Sequence, residues 1–431
     1  MKYTAKVLSL LLSALILLTA CSSQKTPDVQ PAPGSGTAAG GEFVPQLDTD
    51  AAVDLDAAVF FGNFEAFDQV INHFNEYYPH VTITYEQVSN SDPQFLADNP
   101  SIDIFMTSTE KGYPTDTCVD LTEAGVDVSA VADGMLNAGT VDGRLLTIPM
   151  GLTLKGIVVN KTLLANEALE VPETWDDFLS VLAALQEKGY TPIQGPSSVI
   201  GTLIYNMGMD LLSSDPALYE SVCSGDAEGA AALKDVYERA LALRDYISLE
   251  VNAEYPEDNY DGSILKFFEG DVPFWVCDTE KVSGMKKRES KSEAFSAAPF
   301  EYEFMYAPVG DNGVYEYVEP WYGFAANKNS DVKDYAVEFL RFMARQDELN
   351  TLASVKGVPS AARETTDERY AALNDAEKVE MRVVSDGTVP AYIGTLLSHA
   401  ANELLDGSIA SAGDAVAAFA AHCVESMQSA G

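Results

Sequence analysis

Between residues 53 and 85 a mixed apolar run, an amphipathic run and an alternating run follow one another, the order that a strand–helix–strand unit requires. Val53 to Phe61 (VDLDAAVFF) alternates and then turns wholly apolar, as a strand does when it enters a core. Gly62-Asn63 breaks it, and Phe64, Phe67, Val70, Ile71, Phe74 and Tyr77 then recur at helical spacing up to Pro79. Val81-Thr82-Ile83-Thr84-Tyr85 is an alternating β-branched strand, and Ile102 to Met106 is a short buried one. Parallel strands joined by right-handed helical crossovers make an α/β domain with a mostly parallel sheet.

The same grammar continues. Leu145–Met150 and Leu154–Val159 read as strands. Thr174 caps a helix whose first turn carries Asp176 and Asp177 and which ends before Gly189. Further helices are predicted over Val199–Leu212, Glu228–Tyr246, Val332–Arg345 and Thr395–Leu405, and strands over Phe274–Cys277 and Gly323–Asn327. With 431 residues, 47% of them apolar, the chain has material for two or three well-filled cores.

The amino terminus reads as an address. Lys2 and Lys6 precede an apolar run, Val7 to Ala20, that is too short to span a bilayer and has the form of an export signal. Leu18-Thr19-Ala20-Cys21 resembles a bacterial lipobox, in which the Cys21 thiol accepts a lipid after cleavage. Ser22 to Gly41 is a Pro-, Gly- and Ser-rich tether. The expected layout is therefore a signal peptide over 1–20, a lipid-anchored linker over 21–44, and a globular body outside the cell.

Across that body a run of landmarks resembles the extracellular solute-binding protein family of ATP-driven (ABC) importers, in its carbohydrate-type group. They include Phe74-Asn75-Glu76-Tyr77-Tyr78-Pro79, Asp103-Ile104-Phe105, Asp142-Gly143-Arg144 and Gly156-Ile157-Val158-Val159-Asn160-Lys161. Val171-Pro172-Glu173-Thr174-Trp175-Asp176-Asp177-Phe178, Phe268-Glu269-Gly270-Asp271 and Gly323-Phe324-Ala325-Ala326-Asn327-Lys328 follow in order. The resemblance implies a two-lobed, type II periplasmic-binding-protein-like α/β fold, each lobe a mostly parallel sheet flanked by helices. Hinge crossovers are expected near Pro149–Thr153, near Glu319–Gly323 and within Ser354–Ser360. The lobes would comprise 45–150 plus 321–354, and 151–320 plus 355–431. A monomeric receptor is implied that hands a saccharide to a membrane permease and its ATPase, with no cofactor.

Open α/β sheets bind ligands beyond the carboxyl ends of their strands, and a sugar needs planar amides, carboxylates and aromatic faces. The candidate solute contacts are accordingly Asn63, Thr107, Glu110, Thr153, Gln194, Ser197, Asp278, Trp321, Tyr322 and Tyr392. Thr107 and Glu110 stand where the family's first-lobe ligand residues lie, and Tyr392 where it places a stacking aromatic. Ser, Thr, Asn and Asp serve turns and helix caps as readily as ligands, so each polar candidate has that second reading. Trp175 and Trp275 read as core. Where the family commonly has a small residue, Gly and a nearby Trp, this chain has Cys277-Asp278-Thr279-Glu280, which predicts a more polar cleft wall.

Charge and motif counts test other functions. Against 66 Asp and Glu stand only 26 Lys and Arg, a net charge of −40 that argues against nucleic acid and against adhesion to anionic lipid. Loss of residues 1–20 would remove Lys2 and Lys6 and no acid, making the exported chain more acidic still. The basic cluster Lys286-Lys287-Arg288 with Lys291 reads as a solvated helix face. Ser-x-x-Lys occurs at four unrelated places without companion motifs, and no G-x-S-x-G elbow is present. Four histidines (His73, His80, His399, His422) without H-E-x-x-H make a zinc site an unfavoured reading, so no metal is expected. Asp48, Asp50, Asp54 and Asp56 lack the glycine and glutamate of a calcium loop. A non-sugar solute (a peptide, an amino acid derivative or a polyamine) is the main alternative, ahead of a secreted glycoside hydrolase or a surface adhesin. Cys118, Cys223, Cys277 and Cys423 have no metal spacing, and free thiols and bridges are equally open.

Overall fold

The first strand alternates at its start and is buried on both faces at its end, because it runs into the core of the first sheet. In β1 (Val53–Val59), Leu55, Ala57, Ala58 and Val59 are buried while Asp54 and Asp56 face solvent. The computed structural model describes residues 42–430 other than 90, 108–114, 256–259, 311–313, 321, 369, 371–378, 384–388 and 390. The strands that follow are β2 (Val81–Gln87), β3 (Ile104–Thr107), β4 (Thr140–Val141), β5 (Arg144–Leu145), β6 (Ile148–Pro149), β7 (Leu152–Thr153) and β8 (Lys155–Asn160). Then come β9 (Ile193–Gln194), β10 (Phe274–Asp278), β11 (Tyr302–Met305), β12 (Val314–Pro320), β13 (Gly323–Ala326) and β14 (Val379–Val383).

Two sheets form two lobes. The first runs β2-β1-β3-β13-β6, the second β11-β8-β10-β9. The expectation of a mostly parallel sheet in each lobe needs correction. β1 pairs in parallel with β2 and β3, but β13 enters antiparallel to both β3 and β6. In the second sheet β8 is antiparallel to both β10 and β11, and only β9 joins in parallel. The reason is connectivity: β13 enters its sheet from the adjoining β12 rather than through a helical crossover, so nothing obliges it to run parallel.

Local signals placed most elements well. The helix Glu65–Asn75 buries Ala66, Phe67, Val70, Ile71 and Phe74 on one face. The helix Trp175–Glu187 starts at the Thr174 cap, whose Oγ1 accepts from the Asp177 N–H at 3.2 Å, and Gly189 follows it with φ +91°. The helix predicted over Val199–Leu212 divides into a 3₁₀ stretch, Ile200–Ile204, and an α-helix, Tyr205–Ser214. Gly156 in β8 is required by close approach: a Cβ there would lie 2.5 Å from Phe304 Cζ and 2.7 Å from the Met305 carbonyl oxygen.

A largely separate core is made by helices alone. Tyr205–Ser214, Pro216–Ser224, Lys234–Leu243, Ala391–Leu405 and Ala412–Ala430 bury Met209, Leu218, Val222, Tyr237, Leu397, Phe419 and Cys423 together. Cys118, Cys223, Cys277 and Cys423 are all free thiols. Burial pushes the Cys118 thiol up to about 12, against Arg144 and Lys328, and keeps it unreactive. The basic cluster is ion-paired rather than merely solvated: Lys286 meets Glu289 at 3.0 Å, and Asp261 receives both Arg288 and Lys291. Among the described residues no helix is long and apolar enough to cross a membrane.

One buried charge ties the amino-terminal segment to the first lobe. Glu338, 3% exposed, accepts from Tyr78 Oη at 2.6 Å, from the Gln46 N–H at 3.0 Å and from Arg341 at 2.6 and 2.8 Å. Burial pushes its carboxyl up, but Arg341, Tyr78 and the Gln46 amide together hold it below its ordinary range. Glu338→Ala leaves a buried guanidinium and a buried hydroxyl unpaired, and is expected to cost about 3 kcal/mol in urea denaturation at neutral pH. The depressed pKa fixes the sign: the contribution is complete above the ordinary carboxylate value and is lost as pH falls through the lower folded one. The stability gap between wild type and variant therefore narrows below about pH 4.

Candidate functional site

Three chain segments run side by side where the two sheets meet. β12 pairs antiparallel with β7, Glu319 opposite Thr153 and Pro320 opposite Leu152. Gly151 bridges to Ser360, and the Leu152 N–H donates to the Pro359 carbonyl at 3.0 Å. The Met150 N–H donates to the Tyr322 carbonyl at 2.8 Å, and β6 and β13 then continue into the first sheet. On the other side β8 leads into the second sheet. Leu152 and Leu154 are fully buried, so the strip's backbone groups lie away from water and must be paired. Thr279, with no exposed surface, completes it: its Oγ1 accepts from the Leu154 N–H at 3.1 Å and donates to the Leu152 carbonyl at 3.4 Å.

Beside this strip, at the carboxyl end of β1, aromatic rings gather. Tyr322 stands edge-on to Phe60 at 5.2 Å and to Phe61 at 5.6 Å, and Phe61 meets Phe64 at 4.9 Å. Phe60, Phe61 and Tyr322 are half-buried, so each keeps some surface open. The Lys356 ammonium lies 4.2 Å from the Phe61 ring centroid and 4.9 Å from that of Phe64. Burial lowers the Lys356 pKa, Glu65 opposes this, and the charge of Lys287 lowers it further. Lys287 belongs to the helix Thr279–Glu289 that leaves β10, so the second sheet's helix reaches towards the first lobe's aromatic cluster. Such a patch offers flat apolar surface for sugar C–H faces and ammonium donors for hydroxyls.

The predicted contacts distribute unevenly around this geometry. Tyr322 is in the aromatic cluster, and Thr153, 8% exposed, is in the strip. Thr107 ends β3, is 1% exposed and pairs with Gly323. Asp278 caps the helix Thr279–Glu289, accepting from the Lys281 N–H and from Lys281 Nζ, both at 3.1 Å. Asn63 is exposed and donates to Glu65 Oε1 at 3.4 Å. Gln194 is buried, donating to the Thr191 carbonyl at 3.1 Å and accepting from Tyr255 Oη at 3.3 Å. Ser197 is exposed just beyond β9. Tyr392 is 40% exposed on the helix Ala391–Leu405, and its hydroxyl is raised first by burial and then by Cys223 and Cys423 of the helical core. Glu110, Trp321 and Cys21 lie outside the described residues.

Sequence reasoning passed over Phe60, Phe61, Thr279 and Lys356. The strand-end rule led to Asn63, two residues beyond Phe61. Lys356 falls inside the Ser354–Ser360 stretch named as a crossing, directly before Gly357, which closes its helix at φ +72°.

Comparison with known proteins bears on the family and the fold. The profile of the family described as bacterial extracellular solute-binding protein matches residues 61–348, about two thirds of the chain. Among solved structures, a probable secreted solute-binding lipoprotein from Streptomyces coelicolor is 18% identical over 88% of this chain and 100% of its own, with a TM-score of 0.65. The sugar-binding protein MalE from Xanthomonas citri is 14% identical over 87% and 97%, with a TM-score of 0.64. RafE from Streptococcus pneumoniae in its apo form is 15% identical over 88% and 100%, with a TM-score of 0.63, and a RafE has also been solved with raffinose. At these identities the likeness is one of fold. No curated protein matches by sequence.

Thr279→Val tests the strip, because it keeps the shape and removes the oxygen that serves the Leu154 N–H. The expected cost is about 1–3 kcal/mol from one orphaned buried amide, read by chemical denaturation. Leu154 amide hydrogen exchange should speed up selectively, and unchanged exchange there would show the bond to be dispensable.

Proposed function

The chain belongs to the bacterial extracellular solute-binding protein family, whose members are receptors of ABC importers and not enzymes, and we propose that this one binds a sugar or oligosaccharide between its lobes. The observation that carries the reading is the Phe60–Phe61–Tyr322 cluster with Lys356, set against the strip that joins the two sheets. The sugar-binding names of MalE and RafE support the same solute class. Trp321, directly before Tyr322 in the sequence, is a further aromatic candidate for the solute.

The lobes are assigned as residues 45–150 with 321–354, and 151–320 with 355–431. Residues 360–363 reach back along the first lobe, where Ala362 bridges Val131 and Arg363 pairs with Asp133 and the Ser129 carbonyl. Solute entering between the lobes favours the closed state, since only that state touches it from both sides. The closed form then docks, as a monomer, on a membrane permease driven by an ATPase. Cys21, lipidated after removal of residues 1–20, holds the receptor at the outer face of the membrane through the linker of residues 21–44.

Calorimetry of the purified protein against oligosaccharides, amino sugars, polyols, peptides and polyamines tests the solute class. Saturable heat with a saccharide is expected, and Tyr322→Ala, Phe61→Ala and Trp321→Ala should each weaken it by about 1–3 kcal/mol. No heat with any saccharide together with tight peptide or polyamine binding would replace the sugar reading by the alternative solute class.

A further inference from the structure

We propose that His399, Glu403 and His422 form a binding site for a borderline-soft divalent transition ion, Zn²⁺ in the first instance, which braces the last two helices of the chain against each other. The site lies in the helical core and does not depend on the solute reading.

Local structure supplies two ligands and packing supplies the third. His399 and Glu403 are one turn apart on the helix Ala391–Leu405, so their side chains share a face. The helix Ala412–Ala430 packs beside it, with Phe419 and Cys423 in the same core as Leu397 and Ala400, and brings in His422. His422 Nε2 is 3.1 Å from Glu403 Oε2, and His399 Nε2 is 3.7 Å from Glu403 Oε1. The two imidazoles meet edge to face with centroids 5.0 Å apart. One ligand atom from each residue lies within 4.8 Å of the other two.

Tetrahedral zinc with bonds of about 2.0–2.1 Å holds its ligand atoms roughly 3.3 Å apart. The donor set is two imidazole nitrogens and one carboxylate, which suits zinc and its neighbours and discriminates against calcium and magnesium. Near neutral pH an imidazole is largely uncharged and can offer a lone pair. The side chains of His399, Glu403 and His422 are 57%, 29% and 25% exposed, which leaves a path for the ion and room for water as a fourth ligand. Cys423, next to His422, is buried in the helical core. Two of the chain's four histidines thus converge on one carboxylate, at sequence separations that match no metal motif.

The test is titration of the purified full-length protein, freed of metal by chelation, with zinc sulfate near neutral pH in excess magnesium. One ion per chain is expected, with a rise in melting temperature, because an ion that binds only the folded state stabilises it. His399→Gln and His422→Gln should each weaken binding at least about tenfold and abolish the thermal shift, while their circular dichroism stays that of the wild type. The imidazole resonances of His399 and His422, and not those of His73 and His80, should move on adding zinc. Absence of saturable binding, or binding undiminished in both variants, would overturn the proposal. Equal competition by magnesium would overturn it too, by assigning the ion to the general acidic surface.

Discussion

β7, β12 and the Pro359–Ser360 segment are held in register by backbone hydrogen bonds that water cannot replace, and both lobes are built outward from them. Leu152 and Leu154 are wholly buried, so each amide and carbonyl there needs a protein partner. Ser360, Pro359, Glu319 and the Thr279 hydroxyl supply those partners. The same need constrains motion. Lobes can swing about a strip of this kind, but they cannot slide along it without orphaning several buried groups at once.

That constraint explains why the aromatic cluster stands where it does. Phe60 and Phe61 leave the carboxyl end of β1, and Tyr322 precedes β13, two strands away in the same sheet. The strip fixes the Tyr322 backbone through its carbonyl, which accepts from Met150, and the ring lies edge-on to Phe60 and Phe61. Lys356 lies over two rings, and Lys287 is carried towards it by the helix Thr279–Glu289 that follows β10. Two like charges, with Glu65 opposing them, thus stand near one another in a chain of net charge −40.

Elements whose pattern is periodic and local were legible in the sequence. The helix Glu65–Asn75, the strands β1 and β2, and the Thr174-capped helix all follow from side-chain spacing and caps. The landmark order also led to the two-lobed fold and to the neighbourhood of all three segments of the strip. Strand direction was less accessible: β13 and β10 are antiparallel to neighbours that composition could not distinguish from parallel ones. Site residues were the least accessible. Asp278 and Gln194 were named for their polarity, yet that polarity is engaged by Lys281 and by Tyr255 and Thr191. Tyr392 carries the right ring, but on a helix beside Cys223 and Cys423.

By itself the sequence determined the alternation of strands and helices, the net acidity of the chain and the family, because these are properties of neighbouring residues or of their sum. Tertiary structure alone decided which rings meet Tyr322, which hydroxyl serves the Leu154 amide, and that His422 joins His399 and Glu403. Those pairs are separated by up to hundreds of positions or lie on different helices. Their meeting depends on sheet order, crossover geometry and the packing of whole faces, none of which is written in the spacing of any one segment.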